Sequence, residues 1–163
     1  AAPVASRYTG AGVLLYDDDH LGFTPILGSG CTSRCEIDAV GRNATSGGRY
    51  SLLMQMRSTD GASIGVNLRG PDLKLEQFTT LTMKVYPTVS NLKLVVRATY
   101  EPHQAATKAY PAFTSATLAA GQWTRVNVPI PTAFGGGTFN AVRLTGSGSG
   151  ATGSFYVDDV VLN

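Results

Sequence analysis

The sequence predicts an all-β fold, a sandwich or barrel of short antiparallel strands. Three observations carry that prediction. Apolar and polar residues alternate along stretch after stretch, as they do where a strand buries one face and wets the other. Helical periodicity is nearly absent. Gly, Pro, Asn, Asp and Ser cluster between the alternating runs at short intervals, which marks tight connections. About ten short strands follow from this pattern.

Taken in order, Val13, Leu14, Leu15 and Tyr16 form an apolar run that passes directly into Asp17, Asp18 and Asp19. Residues 49–57 read as a strand, although the pair Leu52 and Leu53 blurs its two faces. Over residues 62–69 the alternation is clean, with Ile64, Val66 and Leu68 facing in. Residues 80–86 bury Leu81, Met83 and Val85, and residues 91–100 bury Leu92, Leu94, Val96 and Ala98. Residues 122–130 turn Val126, Val128 and Ile130 inward, and residues 140–145 do the same with Val142 and Leu144. The glycine-rich tracts at 135–137 and 146–150 read as loops. Neither is followed by the helix or lysine of a phosphate cradle.

With 163 residues the chain is long enough for one domain with a sizeable core. That domain is expected over residues 13–163, preceded by a flexible segment at 1–12. Only 15% of residues are charged, and 13 basic against 11 acidic residues leave a net charge of +2 without a block of either sign. Nucleic acid and anionic membranes are therefore not implied as partners, and no apolar stretch approaches the roughly 20 residues of a membrane span. The low charge, with abundant Gly, Ser and Thr, fits a secreted, extracellular all-β protein. The opening Ala1-Ala2-Pro3 resembles a processed, mature N-terminus. A monomer is expected. Cys31 and Cys35 have no second pair and no nearby His, which disfavours zinc. Export would join them in a small disulfide that shapes one loop; two free thiols are the alternative.

Each end of the sequence sets carboxylates beside a strand-forming run. Asp17, Asp18 and Asp19 follow the first run, and Asp158 and Asp159 interrupt the last, Phe155-Tyr156-Val157 before Val160-Val161-Leu162. A carboxylate in a buried strand is costly unless it is neutralised. Two such clusters point to a cation that ties the terminal strands together, and hard oxygen ligands without His or Cys point to calcium. Solvated aspartates in a turn are the alternative.

These segments, in this order, resemble the jelly-roll carbohydrate-binding modules that accompany secreted glycoside hydrolases. The matching features are Leu15-Tyr16-Asp17-Asp18, Ser46 to Leu52, Phe78 to Met83, the Gly121-Gln122-Trp123 strand through Ile130, and the closing Phe155 to Leu162. The resemblance implies a calcium-containing β-sandwich of two antiparallel sheets that binds polysaccharide or oligosaccharide without chemistry, in some contexts attached to a glycoside hydrolase. It implies structural calcium held by Asp17, with Asp18 or Asp19 as alternatives, by Asp158, and by backbone carbonyls around Ser46 to Arg49, Gly48 among them. Because neighbouring strand residues point to opposite faces, one of Asp158 and Asp159 is expected to touch the ion.

Glycans are recognised by aromatic rings and by side chains that hydrogen-bond hydroxyls. Trp123 is one candidate, although in the resembling modules this tryptophan usually packs on its own sheet. The second candidate is a polar sheet face. If the strands alternate between sheets, Asn67, Arg69, Arg97, Thr99, Glu101 and Arg143 share it, with Tyr100, His103 and Tyr110 at its border. Three arginines there could hold hydroxyls or uronate carboxylates; an ordinary solvated face is the alternative. As an enzyme, the chain offers no convincing Ser-His-Asp set. A polysaccharide lyase using Arg97, Tyr100, His103 and Lys108 is the catalytic alternative, and a protein-binding adhesion module the third reading.

Overall fold

Every alternating run identified above forms a strand. The computed structural model describes residues 72–100, 108–147 and 155–163 with their side chains, and the backbone of strand residues 13–17, 20–21, 23–27, 37–40, 51–55, 64–68 and 154. From the N-terminus these are β1 (Val13–Asp17), β2 (His20–Leu21), β3 (Phe23–Leu27), β4 (Ile37–Val40), β5 (Ser51–Gln55), β6 (Ile64–Leu68) and β7 (Leu73–Lys74). A 3-10 turn at Leu75–Gln77 leads into β8 (Thr80–Pro87), β9 (Lys93–Tyr100), β10 (Lys108–Ala109) and β11 (Phe113–Thr114). Then follow β12 (Thr124–Pro129), the single helical turn α1 (Ile130–Ala133), β13 (Thr138–Phe139), β14 (Ala141–Ser147) and β15 (Ser154–Leu162).

Two antiparallel sheets result. The first runs β12-β8-β15-β1-β2, with β5 also paired to β15 and β4 to β5; the second runs β10-β9-β14-β6-β3, with β11 also on β9. Successive long strands thus alternate between the sheets: β5, β8, β12 and β15 in one, β6, β9 and β14 in the other. This is the jelly-roll sandwich, and it meets the condition on which the polar face was assembled from sequence.

The core lies between the sheets because each contributes its apolar parity. Leu81, Met83, Val85, Val126, Val128, Phe155 and Val157 from the first sheet meet Leu94, Val96, Ala98, Val142 and Leu144 from the second, each at most 5% exposed. Phe155 is fully buried, and truncating a phenylalanine so placed costs about 3–5 kcal/mol. Leu75, Phe78, Ile130, Phe134 and Phe139 extend this core, with Phe78 and Phe139 edge to face at 6.1 Å. Ile130 was expected at the end of a strand. It is buried as expected, but it opens α1, because Pro131 has no amide to continue a ladder.

Candidate functional site

The two acidic ends come together through strand pairing. β1 lies antiparallel to the end of β15, with Tyr16 opposite Val160, so Asp17 continues alongside the Asp158–Asp159 step. On the same flank of β15, β5 begins with Ser51, and Leu52 stands opposite Val157. The end of β1 and the start of β5 therefore approach the same point from opposite directions.

At that point β15 carries a bulge. Its register shifts between Asp158 and Val161, and Asp159 adopts the left-handed conformation, φ 50°. Aspartate tolerates that region better than most residues. The period-two alternation is interrupted across Asp158 and Asp159. Val157 and Val160 both face the core, so the extra residue leaves both aspartates between two inward side chains. Asp158 is 1% exposed, and its carboxylate accepts the Asp159 amide at 2.9 Å. Asp159 instead pairs with Lys84 at 3.0 Å. Among the described residues no three His, Cys, Asp or Glu side chains gather as a metal cluster. Asp18 and Gly48, and the cysteines Cys31 and Cys35, lie outside the described residues, as does the side chain of Asp17.

On the second sheet, register assembles the polar face. Arg143 of β14 stands opposite Arg97 of β9 on one side and opposite Gly65 of β6 on the other. One step along, Ala141 stands between Thr99 and Asn67. Directly opposed residues share a face, so Arg97, Thr99, Ala141 and Arg143 lie together on the outward side. Arg97 is exposed and Arg143 half-buried, with one guanidinium nitrogen out of solvent. Thr99 and Ala141 are buried, at 3% and 0%, so this part of the face is not the uniformly solvated surface that alternation alone describes. Arg69, Glu101 and His103 lie outside the described residues.

Tyr100, at the end of β9, is half-buried, and its hydroxyl donates to Asp72 at 3.0 Å. That hydrogen bond, with the aspartate charge behind it, raises the Tyr100 pKa above the ordinary phenol value. Tyr110 does not border the face. It is 4% exposed and its hydroxyl donates to the Thr138 carbonyl at 2.7 Å. Its ring closes over Gly137, at φ 135°, where a Cβ would overlap the phenol oxygen. Lys108 lies over the same ring, 4.8 Å from its centroid. Glu76 pins the neighbouring loop: its carboxylate accepts its own amide and that of Gly137, which lowers its pKa.

An aromatic row on the first sheet was not anticipated as a unit. Trp123, just before β12, packs on Tyr86 of β8 with ring centroids 5.4 Å apart and planes 57° apart. Tyr86 in turn meets Tyr156 of β15 edge-on, at 5.8 Å and 81°. All three rings are half-buried on the outward side. The alternation that turns Val85, Phe155 and Val157 inward would have placed Tyr86 and Tyr156 outward; their adjacency is a matter of register. The steep angles make this a mutually packed cluster rather than a flat platform.

No protein family and no curated protein matches the sequence. Solved structures do match in fold. The family 11 carbohydrate-binding module of a cellulosomal cellulase of Clostridium thermocellum superposes with a TM-score of 0.64 at 10% identity, over 95% of each chain. A family 29 carbohydrate-binding module gives 0.58 at 7% identity, over 94% of this chain and 92% of that one. The xylan-binding family 22 module from Paenibacillus barcinonensis gives 0.55 at 15%, over 86% and 91%. At these identities the likeness establishes the fold. The chain has the β-sandwich of carbohydrate-binding modules, as the resemblance implied.

Proposed function

We propose that this protein is a secreted, non-catalytic polysaccharide-binding module, and that its glycan lies on the outward face of β9, β14 and β6. The observation that carries the reading is the cross-strand pair Arg97–Arg143, an exposed and a half-buried guanidinium side by side on a jelly-roll sheet. Guanidinium donors in a fixed fork suit sugar oxygens. Proteins of the same fold support the choice of ligand: one family 11 structure is a complex with a mixed-linked β-1,3-1,4 tetrasaccharide, and the family 22 neighbour is named as xylan-binding. Tyr100, Asn67, Arg69 and Glu101 complete the proposed face, Trp123 being the competing site. The test is a glycan array with purified protein, followed by titration of variants. Arg97→Ala is expected to weaken binding about ten- to hundredfold without lowering the melting temperature. If Arg97→Ala binds like the parent while Trp123→Ala loses binding and stays folded, the glycan face is the other sheet.

The lyase reading finds less support. A tyrosine base must give up its proton near the working pH, whereas the Asp72 hydrogen bond holds the proton on Tyr100. Tyr110 is buried and engaged. Retention on polysaccharide without unsaturated uronate product separates the two readings.

The module is further proposed to hold structural calcium. Asp158 fits that role: it is a carboxylate buried in the closing strand, with the end of β1 alongside it. Asp158 and Asp17 would hold the ion with carbonyls near Gly48, neutralising charge that burial disfavours. A ligand that binds only the folded state raises stability by mass action. Chelator should therefore lower the melting temperature of the parent and leave Asp158→Ala unchanged; equal melting with and without chelator, and no bound metal by mass spectrometry, refutes the site. Attachment to a glycoside hydrolase and a Cys31–Cys35 disulfide belong to the same proposal of an exported enzyme module.

A further inference from the structure

We infer that Asp72, oriented by Tyr100, is a specificity-determining residue at the rim of the proposed glycan face, where it accepts a hydroxyl of a neutral glycan. This rests on the glycan-binding reading and adds to it a residue of opposite chemistry to Arg97. Asp72 is exposed, and its carboxylate accepts the Tyr100 hydroxyl at 3.0 Å. The raised pKa of Tyr100 keeps the proton on the phenol, so the tyrosine is the donor and the aspartate the acceptor. An ionised carboxylate has two oxygens with about four acceptor sites and no donor. The tyrosine takes one of these sites, and the exposed carboxylate presents acceptor oxygen at the surface.

The backbone holds this acceptor in place. Leu73, the next residue, opens β7 opposite Phe139, and Lys74 follows opposite Thr138. Leu73 packs against the core and Phe139 is fully buried. Asp72 is therefore anchored twice, by its main chain through β7 and by its carboxylate through Tyr100. A group fixed before binding loses less freedom when the ligand arrives. Along β9, Tyr100 stands three residues beyond Arg97, about 10 Å of strand, which a short oligosaccharide can span. The two ends demand different partners, since a guanidinium offers only donors and a carboxylate only acceptors. A sugar hydroxyl serves either, whereas a uronate or sulfate group is repelled at Asp72. Lys108 stands opposite Tyr100 on β10 and lies over the Tyr110 ring, and its charge disfavours the ammonium of an amino sugar. The donor that fits Asp72 is an unsubstituted hydroxyl, bound by a charge-assisted hydrogen bond.

The experiment titrates mixed-linkage β-glucan, arabinoxylan and glucomannan, each unmodified and partly O-methylated, together with chitosan, by calorimetry. Methylation removes hydroxyl donors and keeps the oxygens, so the parent should bind at least one unmodified polymer and prefer it to its methylated form. Asp72→Ala should weaken binding to the unmodified polymer about tenfold and shrink that preference. Asp72→Asn, which keeps one acceptor and loses the charge, should fall between the two. Tyr100→Phe should weaken binding less than Asp72→Ala and cause no further loss in the Asp72→Ala background, because it acts through the aspartate. Asp72 is exposed, so its variants are expected to fold; circular dichroism melting verifies this. If Asp72→Ala binds like the parent while Arg97→Ala loses affinity, the inference is overturned and the glycan-binding reading stands. Tighter binding of chitosan than of every neutral polymer, or a full additive loss in the double variant, also overturns it. Absence of binding to every polymer overturns both.

Discussion

The two outward faces of the sandwich are built from the same alternation and end up chemically opposite. On the first sheet, Trp123, Tyr86 and Tyr156 pack against one another, and Lys84 is neutralised by Asp159. That face consumes its own interaction capacity. On the second sheet, Arg97 and Arg143 stand in register, where neither can neutralise the other. A face whose groups pair with one another contributes to stability, whereas two guanidinium groups placed side by side repel. The difference teaches that residue type alone misleads. Aromatic rings are the more familiar sugar contacts, and here three of them pack on one another.

The largest expected effect tests the aromatic side. Tyr86 touches both of its neighbours, so Tyr86→Ala should cost about 2–3 kcal/mol of stability and leave glycan affinity unchanged. A double-mutant cycle with Trp123→Ala should return a coupling of about 0.5–1.5 kcal/mol. Thermal melts and titrations on the same preparations give both readouts. Should Tyr86→Ala stay folded and lose affinity tenfold, the contrast between the faces is reversed.

A smaller effect is expected from the ion pair on that face. Lys84 is 35% and Asp159 23% exposed, so solvent screens their attraction, and Lys84→Ala should cost about 0.2–1 kcal/mol, shrinking further in high salt. A markedly larger loss in urea titrations would show that Lys84 also holds the bulge in place.

The smallest effect lies at the rim of the cationic face. Tyr100 is half-buried, and its pKa is raised by the hydrogen bond to Asp72. The contribution of this hydrogen bond is therefore complete below the unfolded phenol pKa, and it is lost as pH rises through the raised folded value. Tyr100→Phe should abolish that alkaline decline and leave neutral stability little changed. Tyrosinate absorbance followed with pH should show one phenol titrating late, and its absence from the variant assigns it to Tyr100.

Much of this architecture was legible in the linear pattern. The inward sets Leu81, Met83 and Val85, Leu94, Val96 and Ala98, and Val142 and Leu144 are buried as alternation requires, because a strand's side chains change face at every residue. The same rule failed where the backbone broke it. At Asp159 one residue in the left-handed region resets the parity, and nothing in the run Val157-Asp158-Asp159-Val160 announces which residue takes it. Tyr110 was misplaced for a related reason. Its neighbours read as a polar loop, but the space above Gly137, distant in sequence, admits its ring.

The sequence by itself determined the all-β class, the two-sheet burial pattern and the residues able to interact with a glycan or a cation. These follow from period-two hydrophobicity and side-chain chemistry, both of which are local. The partnerships belonged to the tertiary structure: Arg97 with Arg143, Tyr86 between Trp123 and Tyr156, and the end of β1 beside Asp158. Each depends on the register between strands far apart in the chain, set by bulges, turn lengths and the fit of the two inner faces, and a shift of one residue would send every one of these side chains to the opposite face.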